Sequence, residues 1–390
     1  MPTSFRLHRA PASVFCLATF LIVWLPSAVA GVFLVDQVNL VSNDTTLHTA
    51  ALGDSNLKNA WGVSYGPTPF WVSANGSGLA LVYSVSSAND AVSKLPVEVT
   101  IPSFGGGTGN PTGQVFNPDA GAFNGDRFLF VSEDGTVSGW RPALGTNGTA
   151  EVLVTGDPAN IYKGAALATI SGNTYLYAAN FNTGAIDVIK GTFGAPDLTG
   201  KFLDPNLPSG FAPFNIQDLG GTLYVTYAHP DPNNPEDDAP GPGQGLVNAF
   251  DLQGNFLGRV GTMGSLDSPW GLAIAPASFG AIQGDLLVGN FGDGRINAFD
   301  LGTNSFVGQL DAAGGGPLSI DGLWALTVGN GGSAGSAEEL YFSAGPDDEA
   351  NGLFGALRPI GAAPEPGTLA LVAASLLGAF ASRRSRGLGR

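Results

Sequence analysis

The chain is poor in the residues that most often carry chemistry or lock a small fold covalently. It has one cysteine, Cys16, and three histidines in 390 residues. A single thiol can form neither an internal disulfide nor a thiolate metal cluster, and Cys16 lies in a stretch expected to be removed. Base is scarce as well: 16 Lys and Arg against 32 Asp and Glu give a formal charge of −16. Over residues 31–363 the imbalance grows to 10 basic against 31 acidic residues, a net −21. Such a surface repels nucleic acid and anionic membrane, so neither is expected as a partner. Helical apolar periodicity is missing too, which argues against a bundle or helical solenoid. What the chain has is 58 Gly and 27 Pro beside an ordinary 44% hydrophobic content. Turns therefore come every few residues between regular apolar runs, a pattern of short strands rather than of disorder.

Those runs repeat. The fullest copy spans Asp267 to Asp300: Pro-Trp-Gly, an apolar strand (Leu272–Ala275), a second strand ending at Asn290, a Gly-Asp-Gly turn and a third strand (Arg295–Phe299). Related openings occur at NAWGVSY (Asn59), NPTGQVF (Asn110), IYKGAAL (Ile161), APFNIQD (Ala212) and SIDGLWAL (Ser319). Anchored on Gly62, Gly113, Gly164, Asn215, Gly271 and Gly322, the spacings are 51, 51, 51, 56 and 51 residues. A period near fifty with strand and turn signals marks a β-propeller. The expectation is an all-β, six-bladed propeller of four-stranded blades over residues 31–358. The second strands are FWVSAN, FLFVSED, YLYAAN, LYVTYA, LLVGN and LYFSA, β-branched and aromatic enough to sit buried between blades. The sixth unit is one strand short, and Val32–Val41 is left over at the other end. Pairing the two would close the ring and remove an exposed edge.

Both ends read as addresses. Residues 1–30 carry Arg6, Arg9, an apolar run from Val14 to Leu25 and Ala28-Val29-Ala30, a secretory signal peptide with Ala28 and Ala30 at the cleavage position. After a linker at residues 359–363, the far end runs Pro364-Glu365-Pro366, a short apolar helix from Leu369 to Ala381, then Arg383, Arg384, Arg386 and Arg390. The basic cluster would stay cytoplasmic and halt export, giving a transient insertion in the inner membrane. This order of parts in residues 364–390 resembles the PEP-CTERM sorting signal of Gram-negative bacteria. The resemblance implies signal peptidase and an exosortase-type protease as processing partners, an exopolysaccharide-making host, and a cell-surface or extracellular product. With PTGQVFN at Pro111, EDGTVSGW at Glu133, YKGAALA at Tyr162, the run from Phe202 to Gly221, and PWGLAIAP and GNFGDGRINAFD in the fifth unit, the middle of the chain resembles an uncharacterised bacterial propeller family that bears this tail. More distantly its rhythm is similar to NHL and gluconolactonase-type six-bladed propellers.

Candidate chemistry is thin. Gly331-Gly332-Ser333-Ala334-Gly335 has the spacing of a nucleophile elbow, without the strand and helix that the elbow requires. His48 and His229 are loop residues, too few for a triad or a histidine metal cluster. The second strands end in Asn75, Glu133, Asn180 and Asn290, positions that a propeller gathers at one mouth of its channel. The gluconolactonase resemblance implies a divalent cation there, with Glu133 as its anionic ligand, the three asparagines as neutral ones, Asp134 beside them, and Ca²⁺ or another divalent ion polarising a lactone or ester carbonyl. Fourth and sixth units offer only Ala228 and Ala344. The competing reading is local: Asn and Asp bond their own turns, and Gly supplies positive φ. Two acidic loops, His229–Gly243 and Asp347–Glu349, read as solvated surface, the first also as a place for partner contact. Trp61, Trp270 and Trp324 open three units and are expected to pack between blades. The sequence thus points to an exported binding or matrix module of the cell envelope, with exopolysaccharide or an envelope component as partner. A metal-dependent lactone or ester hydrolase or lyase is the alternative.

Overall fold

The computed structural model describes residues 33–360. Ala28 and Ala30 of the expected leader lie outside that range, as do Pro364, Glu365, Pro366, Arg383, Arg384, Arg386 and the expected apolar helix of the tail. Among the described residues no helix is long and apolar enough to cross a membrane.

The chain is a succession of antiparallel meanders. It begins with β1 (Phe33–Ser42) and the two-residue β2 (Leu52–Gly53). A first meander follows in β3 (Ala60–Ser64), β4 (Phe70–Ala74), β5 (Leu79–Val85) and β6 (Val92–Thr100). The second is β7 (Pro111–Phe116), β8 (Phe128–Ser132), β9 (Val137–Trp140) and β10 (Glu151–Val154), and the third is β11 (Tyr162–Ile170), β12 (Asn173–Asn180) and β13 (Ala185–Lys190). Then come β14 (Ala212–Leu219), β15 (Thr222–Ala228), β16 (Leu246–Asp251) and β17 (Phe256–Thr262). β18 (Pro269–Ile274), β19 (Leu286–Asn290), β20 (Ile296–Asp300) and β21 (Ser305–Ala312) precede the last three strands, β22 (Leu323–Val328), β23 (Leu340–Ala344) and β24 (Leu353–Pro359). The first strands of these meanders are neighbours in sequence order, β3 beside β7, β11, β14, β18 and β22 in turn, and β22 returns to β3. That closed ring of inner strands is the geometry of a β-propeller.

The ends close as expected. β1 pairs antiparallel with β24, from Val35 opposite Pro359 to Ser42 opposite Leu353. Its first residues also pair in parallel with β21, which joins the last two meanders into one nine-stranded sheet. β4, β8 and their counterparts in the other meanders are buried nearly throughout. Their large side chains fill the spaces between sheets: Phe70 lies 4.8 Å from Tyr341, and Trp71 stacks on Phe128 at 4.0 Å. Each such side chain contributes about 1.5–3 kcal/mol by burial.

Two details differ from the expected scheme. Among the described residues the third sheet has three strands. Gly194, with φ +85°, and Pro196, which has no N–H to donate, break the chain after Lys190. The segment instead bonds to the next meander, Gly200 N–H to Gln253 O at 2.9 Å and Phe202 N–H to Gly254 O at 3.0 Å. The sixth anchor is Ala325, three residues after Gly322. Every inner strand carries a register shift near its start, and in the last one it falls between Leu323 and Leu326, as it falls between Ala60 and Val63 in the first. Gly322 lies ahead of the strand in a left-handed turn, φ +63°.

Candidate functional site at the two ends of the channel

The bulges decide what faces the axis. Each inserts residues into the inner strand and re-aims a side chain. The bulged positions hold Trp61, Thr112, Lys163, Phe214, Trp270 and Trp324. Close approach of neighbouring inner strands explains the glycine that often follows: a Cβ on Gly62 would sit 2.4 Å from Thr112 O. The tryptophans pack on one another, Trp61 stacked on Trp324 at 3.5 Å and edge-on to Trp270 at 6.1 Å. Phe214 and Phe291 complete the cluster. This aromatic layer plugs the channel near the starts of the inner strands.

Lys163 is the exception in the layer. It is 2% exposed, its ammonium lies 4.8 Å from the centre of the Trp61 ring and 2.5 Å from Glu133 Oε1. Glu133 Oε2 accepts from Asn75 Nδ2 at 3.1 Å, Asn75 Oδ1 from Asn59 Nδ2 at 3.3 Å, and Asn59 Oδ1 from Trp324 Nε1 at 3.2 Å. A polar chain therefore crosses the mouth above the plug. Thr112, the smallest of the bulged residues, spends its hydroxyl on Tyr162 O at 2.7 Å.

Of the four expected ligand residues, the structure brings Asn75 and Glu133 into contact. Asn180 turns to its own meander, donating to Asn160 Oδ1 ahead of β11 and to Asp187 Oδ2 on β13, both at 2.8 Å, and accepting from Thr183 N–H at 3.2 Å. Asn290 donates to Ser265 O at 2.8 Å and Asp293 Oδ1 at 2.9 Å. Asp134 caps its own turn, accepting from Thr136 N–H at 3.0 Å. Among the described residues no three His, Cys, Asp or Glu side chains are grouped to hold a metal ion. Lys163 escaped the sequence reading because the Ile161 opening is degraded. Alignment on Trp61, Trp270 and Trp324 would have exposed a lysine at an aromatic position.

Both acidic loops reach this mouth. Asp238, 8% exposed, is pushed up to about 6 by burial, against the pull of Lys163. Glu349 ends a run of three residues in left-handed conformation, with φ 59°, 52° and 64° at Asp347, Asp348 and Glu349. Burial, and then the charges of Glu133 and Asp237, raise it to about 7, again against Lys163. His48 Nε2 sits 2.7 Å from Asp347 Oδ2 and helps pin that run. His229 packs on Phe211 with ring centres 3.9 Å apart. Ser333 lies in a loop stitched to β5 through Val85 N–H and Ser333 O at 2.9 Å.

Below the plug the channel opens. A cavity of about 610 Å³ runs from the bulges to the far ends of the inner strands and is lined by β3, β7, β11, β14, β18 and β22. Trp270 belongs to its floor, and among the described residues Asp218 is the one charged side chain in its wall. Burial raises the Asp218 carboxyl above its usual range, while Gly221 N–H, donating to Oδ1 at 2.8 Å, pulls the other way.

Comparison with known proteins bears on the tail and on the ring separately. Residues 362–385 match the PEP-CTERM protein-sorting motif, which indicates export. The chain is 33% identical over 332 residues to the uncharacterized protein L690 of Acanthamoeba polyphaga mimivirus, covering 82% of this chain and 84% of that one. It is equally similar, 33% over 332 residues, to the uncharacterized protein R648 of the same virus, covering 82% and 78%. These relatives are viral, where the sequence resemblance had pointed to bacteria. Among solved structures, an α-L-arabinofuranosidase from Fusarium graminearum aligns over 83% of this chain and 97% of its own at 12% identity and a TM-score of 0.47. A PQQ-bound aldose sugar dehydrogenase from Streptomyces coelicolor aligns over 78% and 95% at 15% identity and a TM-score of 0.43. At these scores neither structure says anything of this chain's activity.

Proposed function

The chain belongs to the family of the mimivirus proteins L690 and R648, and from that premise we propose that it is an exported, exosortase-sorted six-bladed β-propeller serving as a binding module of a Gram-negative cell envelope. The observation that carries the binding role is the cavity of about 610 Å³ walled by all six inner strands, a size typical of small-ligand sites. The sorting match at residues 362–385 supports passage through the inner membrane, removal of a leader at Ala30 and processing at Pro364-Glu365-Pro366. The six inner strands and their six bulges support the blade count.

The metal-assisted hydrolase reading asks for a cation on Glu133, and Lys163 already supplies one. With Asn75 on the other carboxylate oxygen and Asn180 committed to Asn160 and Asp187, the donor set suits a caged ammonium better than a divalent ion.

The test is expression of the full chain in a bacterium with an exosortase. The native chain is expected at the surface or in the medium, shortened at its C-terminus, and replacement of Pro364-Glu365-Pro366 by alanines should leave it in the inner membrane. Equal release of both forms would overturn the sorting part. Lactone or ester hydrolysis by the purified chain, lost on chelation, would replace the binding role by the catalytic one.

A further inference from the structure

The channel wall below the plug constrains what it can hold. Among the described residues no Lys, Arg or His lines it, and its one charged side chain is a carboxylate. An anion would enter against Asp218 with no compensating base, so anions are excluded. A purely apolar guest is excluded by the neutral polar groups that share the wall: Gln217 would lose water without gaining a partner, and Thr327 would keep only its long contact to Val328 O at 3.4 Å. Between these polar groups stand Val63, Leu167 and Ile274, with the Trp270 ring beneath. Small hydrogen-bonding groups interleaved with aliphatic surface match a guest whose own surface alternates hydroxyls with C–H faces.

We infer that the channel below the aromatic plug binds a neutral, hydroxyl-rich ring, the end of an uncharged saccharide. The inference rests on the binding-module reading and names its ligand class. The volume takes one or two sugar rings with water, inside the range of roughly 300–1,000 Å³ common to ligand pockets. Entry is from the far ends of the inner strands, because Trp61, Trp270 and Trp324 close the other way. The acidic mouth above the plug is a separate surface, so Lys163 and Glu133 take no part in this binding.

The test uses the full chain purified in mild detergent, with binding followed by calorimetry and by thermal shift. The probes are glucose and maltose, glucuronate as the anionic counterpart and glucosamine as the cationic one. Expected is saturable binding of a neutral sugar, at least about tenfold weaker binding of glucuronate, and a loss of about tenfold or more in Gln217→Leu or Thr327→Val, the cost of one or two buried hydrogen bonds. Asp218→Asn should narrow the gap between glucuronate and the neutral sugar, because its carboxylate is what opposes the anion. Glucosamine binding alone, abolished in Asp218→Asn, would make the site a cation site and overturn the inference, as would equal binding of glucuronate or no response to either neutral sugar. If one wall variant fails to fold, the other carries the test. A correctly sorted protein that binds none of these sugars would sink this inference while leaving the sorting and the propeller intact.

Discussion

A lysine with 2% exposure is tolerated inside a protein only with a counter-charge and a suitable neighbour, and Lys163 has both in Glu133 and the face of Trp61. Removing one partner of such a pair leaves the other uncompensated. Glu133→Gln should therefore destabilise the protein by about 3–5 kcal/mol, whereas Lys163→Met, which leaves the partly exposed Glu133 to water, should cost clearly less. The double variant Glu133→Gln with Lys163→Met should recover much of the loss. Denaturant melts of the three variants decide it, and additive effects would mean that the contact carries no coupling. Glu133 was legible in the sequence because it stands where asparagine recurs. Lys163 was fainter: aligned on Trp61, Trp270 and Trp324 it stands at an aromatic position, but that this position faces the axis appears only once the bulge is seen, and bulges leave no mark on a period of 51 residues.

At the scale of the element, β1 joins two meanders, pairing with both β24 and β21. Without it β24 becomes an exposed edge that itself carries Phe354 and Leu357, the kind of edge that recruits other chains. Deleting residues 33–42 should turn a monodisperse protein into oligomers or aggregate, and a synthetic Phe33–Ser42 peptide added during refolding should reverse part of that. A monomeric deletion variant with an unchanged melting temperature would show the pairing to be dispensable. This closure was readable from arithmetic alone: one unit lacked a strand and one strand lacked a unit. The missing outer strand of the third sheet was not, although Gly194 and Pro196 carry its cause. Glycine and proline are so common here that two more stand out only once the segment is seen bonding to Gln253 and Gly254.

Across the whole molecule the charge is lopsided, 31 acidic against 10 basic residues in 31–363. Several basic residues are already engaged with acids: Arg141 with Asp126 and Glu151, Arg259 with Asp204, Lys94 with Asp54 and Glu98, and Arg358 with Asp90. The remaining acids repel one another through solvent, a cost that salt screens over a Debye length of about 10 Å at 0.1 M. The melting temperature should thus rise by a few degrees, on the order of 2–5 °C, between low salt and about 0.2 M NaCl. A fall would mean that the ion pairs outweigh the repulsion.

One further consequence follows from the closing strand pair. Ile360 N–H donates to Leu34 O at 2.8 Å, so the chain leaves the ring beside the place where it came in. During export β1 and β24 cross at opposite ends of the passage of the chain, and the ring can lock only when both strands have arrived on the same side of the membrane. The clasp of this propeller is then a record of complete translocation, and a chain halted anywhere earlier would present an open edge to whatever clears unfinished proteins.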